Sequence, residues 1–516
     1  MPNNFLVGCA VVALALSGPH ATHAAVFDVM AFGAKADGKT LDRDAINKAI
    51  DAAAAAGGGT VSFPAGTYLT GSIRLRSNVT LQLDHGSVIQ ASTEATTYEA
   101  PLNGLICGDG IENVSIVGDG LISGKALLRA GAGGMGDKAI ALRLSRNVTL
   151  RDFSLLYGGS CAILATGVDN ITVDNVKIDT NRDGLDFDAC RNVRVSNMSV
   201  NAPNDDAICL KTRGGIGFSR AVENVTITNV FVSGYDIGSL LDGTYKRTLT
   251  LAPDRDGPTG RIKIGTETGG DFKNITVSNA VFDRSRGLAI ESVDGAHVED
   301  IAISNITMRD VSNAPIFIRL GSRMREQAPE GTTIGSVRRV SISNVVVYDA
   351  DPRYPSIITG IPGHNVEDIK LSDIRILCRG GLTLDQAAKQ PAEMASTFFA
   401  APRRGGPVPP RDAFDVPERE VEYPEPSMFG VLPAYGFFIR HAKGIELNNV
   451  QVGFIQEDRR PAFVLDDVTG ADFQHVKAQK AAGVPTIVLR KVEDFTARAC
   501  TPLPDTKIPQ VDRREM

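Results

Sequence analysis

The chain contains no tryptophan, no CxxC pair and no uninterrupted apolar run long enough to cross a membrane, which takes about 18 residues. It also lacks a basic excess: 54 Lys and Arg stand against 60 Asp and Glu, a formal net charge of −6. These absences exclude a basic nucleic-acid face, a spanning helix and a zinc-ribbon type of metal site. Cys107, Cys161, Cys190, Cys209, Cys378 and Cys500 follow no ligand pattern and read as buried free thiols or one or two opportunistic disulfides. What is present is an ordinary globular composition, 43% hydrophobic and 22% charged, with 52 glycines over 516 residues. Such a chain can bury a large core and is not expected to be disordered.

At the N-terminus an apolar run from Phe5 to Leu16 is followed by Gly18, Pro19 and small residues around Ala24. Although no Lys or Arg precedes the run, residues 1–24 read as an export signal removed near Ala24 or Ala25, implying a periplasmic or secreted protein. "LVGC" ending at Cys9 looks like a lipid-anchor box, but the apolar run follows the cysteine instead of preceding it, so no lipid anchor is inferred.

A short phrase recurs along the chain, among others as "SNVTLQL", "ENVSIVG", "RNVTLRD", "DNITVDN", "RNVRVSN", "ENVTITN", "KNITVSN" and "EDIAISN". Each is a period-2 strand rich in β-branched residues. Its second residue falls at Asn78, Asn113, Asn147, Asn170, Asn192, Asn224, Asn274, Asp300, Arg339 and Asp368. The shortest steps are 22 and 23 residues, too short to bury an apolar face alone, so neighbouring repeats must stack. Three short strands with turns use such a length. The fold class is therefore all-β, a single-stranded right-handed parallel β-helix; the 3.6 period of helical solenoids and the Leu spacing of leucine-rich repeats are both missing. A helix from about Asp42 to Ala56, ended by Gly57, Gly58 and Gly59, is placed as the cap on the open end of the stack. The β-helix is assigned to residues 25–500 and a C-terminal tail to 501–516. The stretch of about 386–433, rich in Pro and acidic residues, breaks the rhythm and reads either as an excursion over a groove or as a flexible surface insertion.

Stacked coils lie about 4.8 Å apart. Asp183 lies 22 and 23 residues before Asp205 and Asp206, one coil, so the three carboxylates are expected side by side on an exposed patch of the flank. Like charges this close hold one group protonated while its neighbours ionise. Such a pairing can protonate a glycosidic oxygen and activate water; with water between the carboxyls they would stand about 6.5–9.5 Å apart and the anomeric centre would invert. Two other readings stay open on spacing alone: a Ca²⁺ site, or turn capping, which is the role expected of Asp186 and Asp188.

The residues "FDVMAFGAKADGKTLDRDAINKAI", "GGGTVSFPAGTY" and "NRDGLDFDACRNV" followed by "NDDAICLKT" resemble glycoside hydrolase family 28, the polygalacturonase family of pectin-degrading β-helix enzymes. The resemblance spans about Val26 to Met308. It implies Asp205 as general acid, with Asp183 and Asp206 holding and activating water. It further implies a pectic poly- or oligosaccharide as partner, no cofactor or metal, no nucleic-acid or membrane partner, and a monomer.

Two departures bear on substrate. No His lies between Asp206 and Glu291, where the family carries G-H-G, and both "SGYDIGSLLDG" and "TGRIKIGTETGG" compete for that coil. If "TGRIKIGTETGG" fills it, "RGLAIES" becomes the next coil and puts Ala289 and Glu291 where the family's uronate-gripping Arg and Lys belong. Glu291 would then repel a uronate, which favours rhamnogalacturonan or another substituted pectic chain. Lys211, Asp236, Arg261, Lys263, Glu267 and Glu291 are the expected substrate-binding residues, with solvated surface pairing as the alternative for several of them. A calcium-dependent pectate lyase and a non-catalytic glycan-binding β-helix are the competing functions.

Overall fold

The computed structural model describes residues 1, 25–94, 98–129, 136–249, 256–325, 331, 333–401 and 404–516; the export signal assigned to 1–24 lies outside the described residues, Met1 apart. The chain winds as a right-handed parallel β-helix. Among the described residues every pairing between strands is parallel except the last. One sheet carries the residues of interest: β1 (Cys161–Thr166), β2 (Asp183–Asp188), β3 (Ile208–Thr212), β4 (Ile262–Thr268), β5 (Leu288–Ser292) and β6 (Ile316–Leu320), each paired with the next.

The recurring Asn is the corner of the coil. Asn78, Asn113, Asn147, Asn170, Asn192, Asn224 and Asn274 all take left-handed backbone with φ of 54–63°, a conformation Asn tolerates better than other side chains. Each amide after Asn78 donates to the Asn one coil earlier at 2.7–3.1 Å, forming a ladder along the solenoid. Asp300, Arg339, Asp368, Gly444 and Gly470 hold the same left-handed corner in later coils. Past each corner, alternate residues point inward and stack in register: Val114, Val148, Ile171, Val193, Val225 and Ile275 form one such column, all nearly solvent-free. Each such side chain contributes about 1.5–3 kcal/mol by leaving water.

Helix α1 (Arg43–Ala55) closes the N-terminal end, burying Ile46, Ala49, Ile50 and Ala53, with Gly57, Gly58 and Gly59 in left-handed backbone beyond it. At the other end, residues set apart in sequence as a tail form strand Thr506–Glu515, paired antiparallel to Ile487–Arg498. This covers an edge that would otherwise offer unpaired backbone. All six cysteines beyond the N-terminus are free thiols, five of them buried.

The segment 386–433 is packed. It starts in α2 (Leu384–Lys389), capped reciprocally by Thr383 and Gln386, then lays Phe398, Phe399, Phe414, Met428 and Phe429 against the outward side chains Phe317, Ile357, Phe438, Val464 and Val488 of the site-bearing sheet. Three buried or half-buried arginines in register on that sheet hold its backbone: Arg319 donates to the carbonyls of Glu418 and Arg419, Arg440 to those of Val416 and Pro417, and Arg490 to that of Phe414.

The corner ladder makes a measurable contribution. Asn170→Ala removes one donated and one accepted amide hydrogen bond and strains a left-handed residue, and should cost about 1–2 kcal/mol. Asn170→Gly, free of the strain, should cost less; equal losses in thermal unfolding would refute the backbone part of this account.

Candidate active site

Asp183 opens β2, and Asp205 and Asp206 lie in the turn just before β3. The register Leu185 to Ile208, with Gly184 N–H donating to the Asp206 carbonyl at 2.9 Å, sets Asp183 beside Asp206. Only glycine fits at 184, because a Cβ there would stand 2.3 Å from the Ala207 carbonyl oxygen. One oxygen from each of Asp183, Asp205 and Asp206 lies within 4.8 Å of the others. The sequence expectation of contact one coil apart thus holds in the geometry. The expected exposure does not: the three are 6%, 4% and 1% exposed and line a recessed cleft of about 750 Å³.

Each carboxylate meets a different set of cations. Asp206 is clamped on both oxygens, by Arg261 Nε and by Lys263 Nζ, each at 2.7 Å. Burial pushes its acidity the other way, but Lys263 and Arg261 outweigh it and hold Asp206 far below the usual carboxylate range. Arg182 Nε donates to Asp205 Oδ2 at 3.2 Å, and Asp205 Oδ1 accepts the Asp206 N–H at 3.1 Å. Asp183 has Lys211 Nζ at 3.7 Å and Arg182 Nε at 3.9 Å, both beyond hydrogen-bond length. Burial first, then Asp186 and Asp205, raise Asp183 well above the usual range.

Lys211 donates to Asp186 at 2.8 Å, and Asp188 accepts the Arg213 backbone N–H at 2.7 Å while facing its guanidinium. The turn-capping reading of Asp186 and Asp188 is therefore corrected. Both are buried strand residues whose side chains point outward between inward Leu185 and Phe187, and they anchor cations at the cleft.

"TGRIKIGTETGG" supplies β4, directly after β3, and "RGLAIES" supplies β5, so Lys263 stacks on Ala289. Of the expected binding residues, Lys211, Lys263 and Glu267 line the cleft. Arg261 is 3% exposed and grips Asp206 from behind, its guanidinium bound on the far side to Glu425 at 3.0 and 3.2 Å. Two expectations are corrected. Asp236 clasps its own loop, accepting from Thr248 and Leu249 backbone N–H groups, and is not a wall of the cleft. Glu291 is fully buried behind Gly265 instead of facing substrate, so the repulsion of a uronate inferred from it does not arise. The solvated-surface alternative fails as well for Arg261, Lys263 and Glu291, all at most 3% exposed.

The sequence reading missed Glu425, which binds Arg261, Arg286 (2.7 Å) and Asn313, and the cleft residues Arg323, Arg325, Arg404 and Tyr423. Arg323 and Arg325 follow β6, which the coil rhythm could have pointed to; Arg404, Tyr423 and Glu425 come from the insertion, where no rhythm exists.

Residues 26–101 match the family model described as "Rhamnogalacturonase A/epimerase, pectate lyase-like". The chain is 24% identical over 396 residues to an exo-poly-alpha-D-galacturonosidase of Dickeya chrysanthemi, covering 65% of this chain and 64% of that protein. It is 25% identical over 315 residues to a probable polygalacturonase of Vitis vinifera, covering 54% and 60%. The chain thus spans somewhat less than two thirds of the length of these two relatives. Among solved structures, the family 28 exopolygalacturonase of Yersinia enterocolitica superposes with a TM-score of 0.62 at 18% identity, over 87% of this chain and 78% of that one. The Thermotoga maritima exopolygalacturonase gives 0.56 at 20%, over 69% and 87%. Fold and site define a right-handed parallel β-helix protein of the pectate-lyase-like kind. Within that class the chain is similar to polygalacturonases, at low identity.

Glu291 provides a pH test of this electrostatic arrangement. Neither carboxyl oxygen has a hydrogen-bond partner among the described residues, and burial pushes the group from 4.5 up to about 8 against the pull of Lys263 and Arg261. The folded chain keeps this proton where the unfolded chain has lost it, so stability is full below about 4.5 and is lost as pH rises through about 8. Glu291→Gln should remove that decline, gaining on the order of a few kcal/mol at alkaline pH. Parallel melting curves of the two proteins across this range would contradict it.

Proposed function

We propose that the protein is an exported, monomeric glycoside hydrolase that cleaves pectic polysaccharide from chain ends with inversion, using Asp183, Asp205 and Asp206. The observation that carries this reading is one cleft holding three adjoining carboxylates in unlike states, Asp206 kept ionised by two cations and Asp183 favouring its proton.

The proton that Asp183 favours is handed to Asp205, whose carboxyl adjoins it. In the mechanism, Asp205 passes a proton to the glycosidic oxygen as the bond to the anomeric carbon breaks. Asp206, fixed in orientation by Arg261 and Lys263, and Asp183 hold the attacking water, whose proton passes to Asp183 and so restores the starting state. Inversion is taken from the family resemblance.

Lys263, Arg323, Arg325 and Arg404 on the cleft wall suit a chain of uronates. The family model matched at the N-terminus, described as a rhamnogalacturonase or epimerase, keeps rhamnogalacturonan as a second substrate reading. Chain-end action is supported by the insertion: beyond β6 the outward face of the sheet is covered by it, and Gly405 and Val421–Tyr423 stand at the cleft itself, so the trough stops on that side. A calcium-dependent lyase fits the donor set less well, since both Asp206 oxygens already bind cations that a metal would have to displace.

Asp205→Asn should lower kcat on polygalacturonate by about 10²–10⁴-fold. An unchanged rate would refute Asp205 as the acid, and absence of hydrolysis by the unmutated protein would leave only a glycan-binding role. Proton NMR of the first product should give the anomer opposite to that of the cleaved bond, with no unsaturated sugar and no effect of chelator. Viscosity should fall slowly relative to the reducing ends released; a rapid fall would refute chain-end action.

A further inference from the structure

Beside the cleft, where β3 and β4 run out into their turns, lies a second recess of about 240 Å³ that the mechanism does not use. Its floor is backbone, with Gly269 and Gly270 held to Thr212 by hydrogen bonds of 3.1 and 3.0 Å, and its wall is the loop after β3, closed by a turn from Gly217 to Gly214. On that loop stands Phe218, 57% exposed, one of the most exposed large apolar side chains in the molecule. Arg325 lines both this recess and the cleft, so the two spaces adjoin.

We propose that this recess receives a neutral sugar branch carried by the polysaccharide backbone lying in the cleft, which deepens the hydrolase reading above and rests on it. Three observations carry the assignment. The recess is lined at and beyond the ends of β3 and β4, by Thr212, Gly269 and Gly270, whereas Asp205 and Asp206 precede β3, so it is offset from the carboxylates along the strand direction and within reach of a substituent. Each of its four charged residues is already paired: Arg325 with Glu267 at 3.1 Å, Arg213 with Asp188 at 3.5 Å, Arg220 with Asp169, and Asp294 with Arg323 at 2.9 Å. These pairs balance the charges from within the molecule, so a ligand in the recess need bring none. An exposed aromatic face over a glycine floor is the surface on which the apolar face of a pyranose ring stacks, with peptide groups left to meet its hydroxyls.

The test compares kcat/KM on xylose-bearing galacturonan and on linear polygalacturonate. Phe218→Ala should lower the ratio of branched to linear about ten-fold, in keeping with the loss of one aromatic contact. Phe218→Trp should preserve it, and an unchanged ratio in Phe218→Ala would overturn the proposal. Because Phe218 is exposed, these variants are not expected to disturb folding. Calorimetric binding of a xylose-bearing oligogalacturonide and its linear counterpart to Asp205→Asn separates this proposal from the hydrolase reading. Equal affinity for the two overturns the branch site. Preference for the branched oligomer upholds the branch site, and absence of hydrolysis by the unmutated protein on either substrate would then remove only the catalytic assignment.

Discussion

Everything in this molecule depends on coils stacking in strict register. The left-handed Asn corner makes that register rigid: each amide binds the one before it, so a coil cannot slip without breaking a ladder link and moving its inward column to the surface. Sequence separation thereby becomes lateral contact. Asp183 and Asp206, 23 residues apart, become neighbours, and so do Cys209 and Lys263 across a step of 54 that contains a long loop.

Register alone would produce an unstable site, since stacked outward carboxylates repel and burial compounds the cost. The chain answers by alternating sign between adjoining coils. β2 brings Asp183, Asp186 and Asp188; β3 answers with Lys211, and the residues entering and forming β4 bring Arg261 and Lys263 against Asp206. The compensation is uneven, and that unevenness differentiates three chemically identical groups. Two short charge-assisted contacts hold Asp206 ionised, whereas Asp183, with its nearest cations at 3.7 and 3.9 Å, retains the proton.

Much of this was legible in the residues. The 22- and 23-residue steps pointed to the fold, and the fold brought the three aspartates together; the preference for "TGRIKIGTETGG" as the coil after β3 put Lys263 at the site. What was not legible has one physical cause. Periodicity tells which side chains point outward, but not what lies over them. Glu291 points outward in register with Arg319, as its alternation implies, yet the next layer of chain seals that column, so an outward residue became a buried one. Asp236 failed for the complementary reason: it sits in the long loop between strand Val222–Ser233 and β4, where the coil rule has no force and local hydrogen bonds decide.

The insertion is the part with no period to read, yet Arg261 binds it to the carboxylates. Arg261 directs Nε at Asp206 and its two terminal nitrogens at Glu425, so one planar cation orients the ionised carboxylate and docks the covering segment at once. Arg286 and Asn313 hold Glu425 from neighbouring coils, which fixes the guanidinium in turn. A point charge such as lysine could neutralise Asp206 but could not fork between two carboxylates in fixed geometry. The covering segment and the acid cluster therefore form one electrostatic unit: the same contact that ends the trough on one side also holds Asp206 in the state the chemistry requires.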